Sequence, residues 1–309
     1  MQGLGLEGLI VAAATPMTAT GEVDYARIPE LVAHYARHRI AGIYALGSTG
    51  EGMSLSEEER RRAAEAFVNA AAGRMKVLVQ VGHSSLKTSC RLAAHAAEIG
   101  ADAISATPPS YFKPESEEVA VVGLAQIAAA APKLPFYYYH IPALSGVTLE
   151  PVALARLARE RVPNFAGIKY SDAATLYNLP LLQAVDARLE FFSGADEAYL
   201  AGLAIGYRAA IGSTYGFAAP LYHRVRAAFA AGEWDEARLW QARVIEMIRT
   251  IFAACGRGGL KAMMALVGVN CGPPRWPIRP VSSKQQETLR RALEQMGWFE
   301  WMETAQAGA

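Results

Sequence analysis

Short apolar runs recur along the chain roughly every 20 to 30 residues, and longer amphipathic or alanine-rich stretches lie between them. The runs at 9–17, 42–48, 76–82, 103–108, 136–141, 165–171, 189–194 and 209–214 read as eight strands. Most are continuously apolar rather than alternating, the pattern of parallel strands buried on both faces. Helical patterns fill 57–72, 86–99, 151–159 and 197–205. Eight βα units in series predict an α/β fold, the closed (β/α)8 TIM barrel. An open doubly wound sheet is the alternative, but it usually carries a glycine-rich phosphate loop after its first strand. Here that strand ends in Thr15-Pro16-Met17. Beyond Thr214 the pattern is purely helical, over 220–230, 234–254 and 283–296. Residues 1–220 are thus expected to form the barrel core through the eighth strand. Residues 221–309 would form the eighth barrel helix and a C-terminal helical appendage, within one structural unit.

Composition narrows the function classes. Of 309 residues, 52% are hydrophobic, and 30 basic residues against 29 acidic ones leave a formal charge of +1. No basic face is implied, so nucleic acid and anionic membrane are poor partners. Cys90, Cys255 and Cys271 are widely spaced and form no CxxC pair, which argues against a zinc knuckle or a disulfide framework. No basic leader and no apolar run of spanning length stand out, so a cytoplasmic protein is expected.

Polar residues at the C-terminal ends of barrel strands are the candidates for chemistry. Lys169 is one of seven lysines, and it lies inside the apolar run Phe165-Ala166-Gly167-Ile168-Lys169-Tyr170-Ser171. Desolvation pushes such an amine toward its neutral form, which can attack a ketone. A lysine that snorkels to the strand end or pairs with Asp196 is the structural alternative. In Phe136-Tyr137-Tyr138-Tyr139-His140, parity puts Tyr137 and Tyr139 on one face and Tyr138 and His140 on the other. Tyr139 is a candidate proton relay, against an ordinary structural tyrosine. Gly47-Ser48-Thr49-Gly50-Glu51 is a tight turn whose amides and hydroxyls suit a carboxylate, and Ser56-Glu57-Glu58-Glu59 is a capping box for the next helix. His34 and His38 are four apart with no third metal ligand, so a solvated helix face is expected. His83 ends the third strand without an assigned role.

Four segments together, Gly47-Ser48-Thr49-Gly50-Glu51, Tyr139-x-Ile141-Pro142, Gly167-Ile168-Lys169 and Ser193-Gly194-x-Asp196-Glu197, resemble the dihydrodipicolinate synthase / N-acetylneuraminate lyase superfamily in order and spacing from residue 8 to 280. Ile141-Pro142-Ala143-Leu144-Ser145-Gly146 and Ile211-Gly212-Ser213-Thr214-Tyr215 are similar to the lyase branch. Leu144 stands where the synthases typically carry an arginine for the aldehyde substrate's carboxylate. Tyr170-Ser171 replaces the Gln-Thr of some bacterial lyases, and Ser110 stands where many members have a second aromatic.

The resemblance implies a pyruvate aldolase in which Lys169 forms an imine with the ketone and Ser48 and Thr49 hold the carboxylate. It implies that Tyr139 relays protons, tuned by Tyr111 from a neighbouring subunit. Gly194, Asp196, Glu197 and Ser213, with Ser171 beside them, would bind the hydroxyls of the sugar tail, for which a carboxylate pair is suited. No metal or organic cofactor is expected, because the lysine supplies the electron sink. The expected reaction is cleavage of N-acetylneuraminate to pyruvate and N-acetylmannosamine. Alternatives are a 2-keto-3-deoxy sugar-acid aldolase, or less readily a dihydrodipicolinate synthase or a non-catalytic pyruvate- or sugar-binding regulator. The implied assembly is a homotetramer built as a dimer of dimers.

Overall fold

Buried on both faces, the apolar runs hydrogen-bond side by side and close on themselves. The computed structural model describes residues 3–307. Eight parallel strands follow one another around a closed barrel: β1 (Gly8–Ala12), β2 (Gly42–Ala45), β3 (Lys76–Gln80), β4 (Ala103–Ala106), β5 (Phe136–His140), β6 (Phe165–Tyr170), β7 (Glu190–Ser193) and β8 (Ala209–Gly212). β8 pairs back onto β1, Ile211 opposite Ile10. The (β/α)8 TIM barrel is therefore the fold. All eight strands stop short of the runs read from the sequence. Ala13, Ala14, Leu46 and Val81 have left the ladder yet are buried, so burial alone keeps these loop starts apolar.

Strand parity sorts side chains into two layers. Ile10, Tyr44, Leu78, Tyr137, Tyr139, Phe192 and Ile211 fill the barrel interior. Val11, Ile43, Val79, Tyr138 and Ile168 face the surrounding helices. The tyrosine run divides as its alternation requires. Tyr137 closes the barrel floor: its hydroxyl donates to Glu190, which also accepts the amides of Leu4 at 2.7 Å and Gly5 at 2.5 Å.

β6 breaks its own alternation. Phe136 pairs with Phe165, but Tyr137 pairs with Gly167, so β6 carries an extra residue there. Ala166 faces the interior and Ile168 the helices. Simple parity from Ala166 would turn Lys169 outward; the bulge resets the phase and turns it in. Gly167 has φ +151°, and a Cβ there would stand 1.7 Å from the Glu190 carbonyl oxygen, so only glycine fits.

After β8 the chain is helical: Tyr215–Ala230, Trp234–Cys255, Gly259–Leu266, Ser283–Met296 and Trp298–Ala307. The first starts earlier than its sequence pattern, with Pro220 inside it and non-helical angles at Ala218. Gly259–Leu266 and Trp298–Ala307 were not legible as helices. Trp234–Cys255 packs on both Tyr215–Ala230 and Ser283–Met296, tying the appendage to the barrel wall. Among the described residues, no helix is long and apolar enough to cross a membrane.

Candidate active site

Lys169 points into the barrel near its C-terminal mouth and is 3% exposed. Its Nζ lies 3.7 Å from the centroid of the Tyr44 ring and 4.0 Å from that of Tyr139. Of the two structural alternatives, the ion pair with Asp196 is not formed: among the described residues Lys169 has no carboxylate within ion-pair distance. Aromatic faces attract a cation but do not replace its hydration. Burial therefore lowers the amine from its ordinary 10.5 to about 7, against the opposing charge of Asp196. Near neutrality about half of the amines carry a free lone pair, against roughly one in three thousand for a solvated lysine. Tyr44 escaped the sequence reading because it sits mid-strand in β2. Its hydroxyl donates to Ser105 Oγ at 3.1 Å, which fixes the ring under the amine.

Tyr139 stands beside Lys169 on the adjacent strand, in direct register. Its hydroxyl lies 3.4 Å from Ser48 Oγ. Burial raises its pKa, while the hydroxyls of Ser48 and Ser171 and the charge of Arg257 pull it back down. Arg257 belongs to the turn Gly256–Gly258 ahead of helix Gly259–Leu266, so the appendage contributes to the electrostatics of the mouth. No sequence signal marked it.

The turn after β2 sits on the Tyr44 ring, and a Cβ at Gly47 would stand 2.5 Å from it. Glu51 N donates to Ser48 O at 3.2 Å and Gly52 N to Gly47 O at 3.1 Å. The amides of Ser48, Thr49 and Gly50 donate to no acceptor among the described residues, which leaves them to an anion. Thr49 Oγ1 and Ser213 Oγ are 2.6 Å apart, joining this turn to the end of β8. As expected, Ser56 caps the following helix, accepting from Glu59 N at 3.2 Å.

Opposite the turn, Asp196 is buried after β7. Its Oδ2 accepts from Thr214 N at 3.1 Å and Thr214 Oγ1 at 2.7 Å. Burial is the main cause raising its pKa to about 6; the Thr214 bonds oppose this and the neighbouring Glu197 adds to it. Glu197 is exposed, and Gly194 and Ser213 are half-buried. Gly194 N donates to Tyr170 O at 2.7 Å, and Ser171 N to His140 O at 2.8 Å, which seats both residues at the strand ends.

Lys169, Tyr139, Ser48, Thr49, Ser171, Gly194, Asp196, Glu197 and Ser213 thus all follow or end strands at one mouth. Tyr111 does not join them within one chain: it is 82% exposed and meets Phe112 edge to face, with ring centroids 5.0 Å apart. Ser110 is half-buried beside it. His83 Nδ1 accepts from Ser85 N at 2.9 Å, and the ring lines a separate apolar cavity of about 200 Å³ with Pro108, Phe112 and Leu124. The solvated face expected for His34 is corrected: the side chain is 3% exposed, with Nε2 2.7 Å from Gly216 O.

A (β/α)8 barrel with a desolvated lysine at its mouth, facing a phenol and an anion-ready turn, defines a class of proteins built for carbonyl chemistry. The model of the dihydrodipicolinate synthetase family matches residues 5–296, and the chain belongs to that family. It is 39% identical over 296 residues to the N-acetylneuraminate lyase of Xenopus tropicalis, covering 94% of this chain and 97% of that protein. To the human N-acetylneuraminate lyase it is 36% identical over 299 residues, covering 95% and 93%. Among solved structures, Proteus mirabilis N-acetylneuraminate lyase superposes with a TM-score of 0.91 at 33% identity, over 94% of this chain and 98% of that one. The sialic acid aldolase of Aliivibrio salmonicida gives 0.90 at 35%, over 94% and 96%.

Proposed function

We propose that this protein is a class I aldolase that cleaves N-acetylneuraminate to pyruvate and N-acetylmannosamine. The carrying observation is the Lys169 amine, buried between the Tyr44 and Tyr139 rings and held near pKa 7. Lys169 adds to C2 of the keto acid, and loss of water gives a protonated imine. Tyr139 protonates the carbinolamine hydroxyl that leaves as that water; the phenolate so formed takes the proton of the C4 hydroxyl, the C3–C4 bond breaks, and that bond's electrons pass into the iminium as an enamine. Reprotonation at C3 and hydrolysis release pyruvate and restore the amine. The free amides and hydroxyls of Ser48 and Thr49 take the carboxylate. Asp196, Glu197, Ser213, Gly194 and Ser171 line the side from which the sugar tail approaches.

The relatives named N-acetylneuraminate lyase support this substrate over shorter keto acids. Pyruvate release from N-acetylneuraminate and from 2-keto-3-deoxygluconate tests it, with the aldehyde product identified. A higher kcat/KM for N-acetylneuraminate is expected, and a preference for the shorter acid would overturn the substrate assignment while leaving the lysine chemistry standing. The working form is a homotetramer, dimer of dimers, in which Tyr111 serves a neighbouring site; its 82% exposure within one chain supports this. A fully active monomer in sedimentation at assay concentration would contradict it.

A further inference from the structure

The carboxylate-binding turn is held from behind by residues of the C-terminal appendage. Glu51, the last residue of Gly47-Ser48-Thr49-Gly50-Glu51, has left-handed backbone angles (φ 55°, ψ 26°), a conformation that costs a non-glycine residue roughly 1 kcal/mol or more. Its carboxylate points away from the mouth into the protein. Oε1 pairs with Lys261 Nζ at 2.6 Å, with both side chains at most 6% exposed. Oε2 accepts the backbone amide of Arg275 at 2.6 Å. Lys261 sits in helix Gly259–Leu266 and also donates to Pro273 O at 3.1 Å. The Arg275 guanidinium clamps Glu59 through two bonds of 2.8 and 2.7 Å, and reaches Ser54 O at 3.1 Å and Gly21 O at 2.7 Å. Glu59 completes the capping box of the helix that follows the turn, its Oε2 accepting Ser56 N at 2.8 Å. Thr15 Oγ1 donates to Gly50 O at 2.6 Å, which fixes the next peptide as well.

These bonds fix the backbone of residues 50 to 59 on one side. On the mouth side the same turn presents the Ser48 and Thr49 hydroxyls to Tyr139 and Ser213, and the amides of Ser48, Thr49 and Gly50 have no acceptor among the described residues. A buried ion pair is weak support for stability, since an apolar pair can replace it, but losing one partner leaves the other charge stranded. Its directional value is larger: a carboxylate clamped at both oxygens leaves the peptide of a short turn one orientation.

We infer that Lys261, with the Arg275 backbone, is a positioning residue for carboxylate recognition: through Glu51 it aims the amides of the turn after β2 at the substrate carboxylate. The appendage is then part of the binding site although none of these groups touches substrate. The inference rests on the proposed aldolase reading, in which that turn takes the pyruvate carboxylate.

The test is borohydride trapping of the full-length protein with two ketones, pyruvate and hydroxyacetone, the second having no carboxylate. In Lys261→Met the pyruvate concentration at half-maximal trapping should rise tenfold or more, about the cost of weakening one hydrogen bond to a charged group. The trapping rate at saturating pyruvate and the entire hydroxyacetone curve should match wild type. Unchanged half-saturation in a folded variant overturns the inference. So does an equal loss for both ketones, because that is what general loosening of the barrel produces. Should Lys261→Met fail to fold, Glu51→Gln carries the same comparison, since it retains the side-chain volume and the acceptor for Arg275. Wild-type protein that is trapped by neither ketone would instead defeat the aldolase reading itself.

Discussion

Replacing Lys169 by Met should make the protein more stable near neutral pH while ending turnover. Moving the amine from 10.5 to about 7 corresponds to about 4 to 5 kcal/mol of preference for its neutral form. The unfolded chain keeps this lysine near its ordinary value and protonated. The folded chain must release the proton or hold an ammonium against two rings without a carboxylate partner. Between about pH 7 and 10.5 the unfolded state therefore binds more protons, and stability rises with pH across that window. The destabilisation is complete below pH 7 and gone above about 10.5. Methionine is close in volume and carries no charge, so it removes the penalty without opening a cavity. Interior relaxation absorbs part of the cost, which leaves a predicted gain of roughly 2 to 4 kcal/mol at pH 7. Urea unfolding of wild type and Lys169→Met at fixed protein concentration, repeated between pH 6.5 and 10, reads the difference directly. A variant no more stable than wild type at pH 7, or a gain that grows with pH, would refute the reasoning.

Three further outcomes follow from the geometry. Tyr139→Phe should lower kcat by about 10²–10⁴-fold, the usual contribution of a positioned proton-transfer group, with pyruvate still trapped at similar concentrations; an unchanged kcat returns Tyr139 to a structural role. Gly167→Ala should yield little folded protein or a strongly lowered Tm, because its Cβ would collide with the Glu190 carbonyl and no flexible side chain can yield; a wild-type melting curve would mean the β6 bulge is not required. Glu197→Ala should raise KM for N-acetylneuraminate and narrow its advantage over 2-keto-3-deoxygluconate, since polar groups built for hydroxyls discriminate against substrates lacking them; equal losses on both substrates would place Glu197 outside specificity.

The barrel was legible because parallel strands are buried on both faces, and each apolar run contains one strand starting within one residue of its expected position. Strand ends were not legible, since the loops that carry the mouth are themselves buried and apolar. Lys169 stood out as a charge inside an apolar run, yet parity counted from Ala166 would have turned it to the wrong face. Only the Gly167 bulge, a backbone event set by contact with β7, turns it inward. Tyr44 had no signal of its own, because a mid-strand tyrosine is an ordinary core residue until a lysine from β6 lies over its ring. Lys261 looked like any helical lysine: its partner Glu51 is 210 positions earlier, and no local pattern announces a pair that forms only when the appendage folds back on the barrel.

The central claim is that Lys169, and no other amine, forms a covalent imine with pyruvate. Borohydride reduction in the presence of pyruvate, followed by peptide mass spectrometry, tests it most directly. A single reduced pyruvate adduct on the peptide carrying Lys169, lost in a folded Lys169→Ala variant, is the predicted result. An adduct on a different lysine, or none while the protein still releases pyruvate from N-acetylneuraminate, would contradict it.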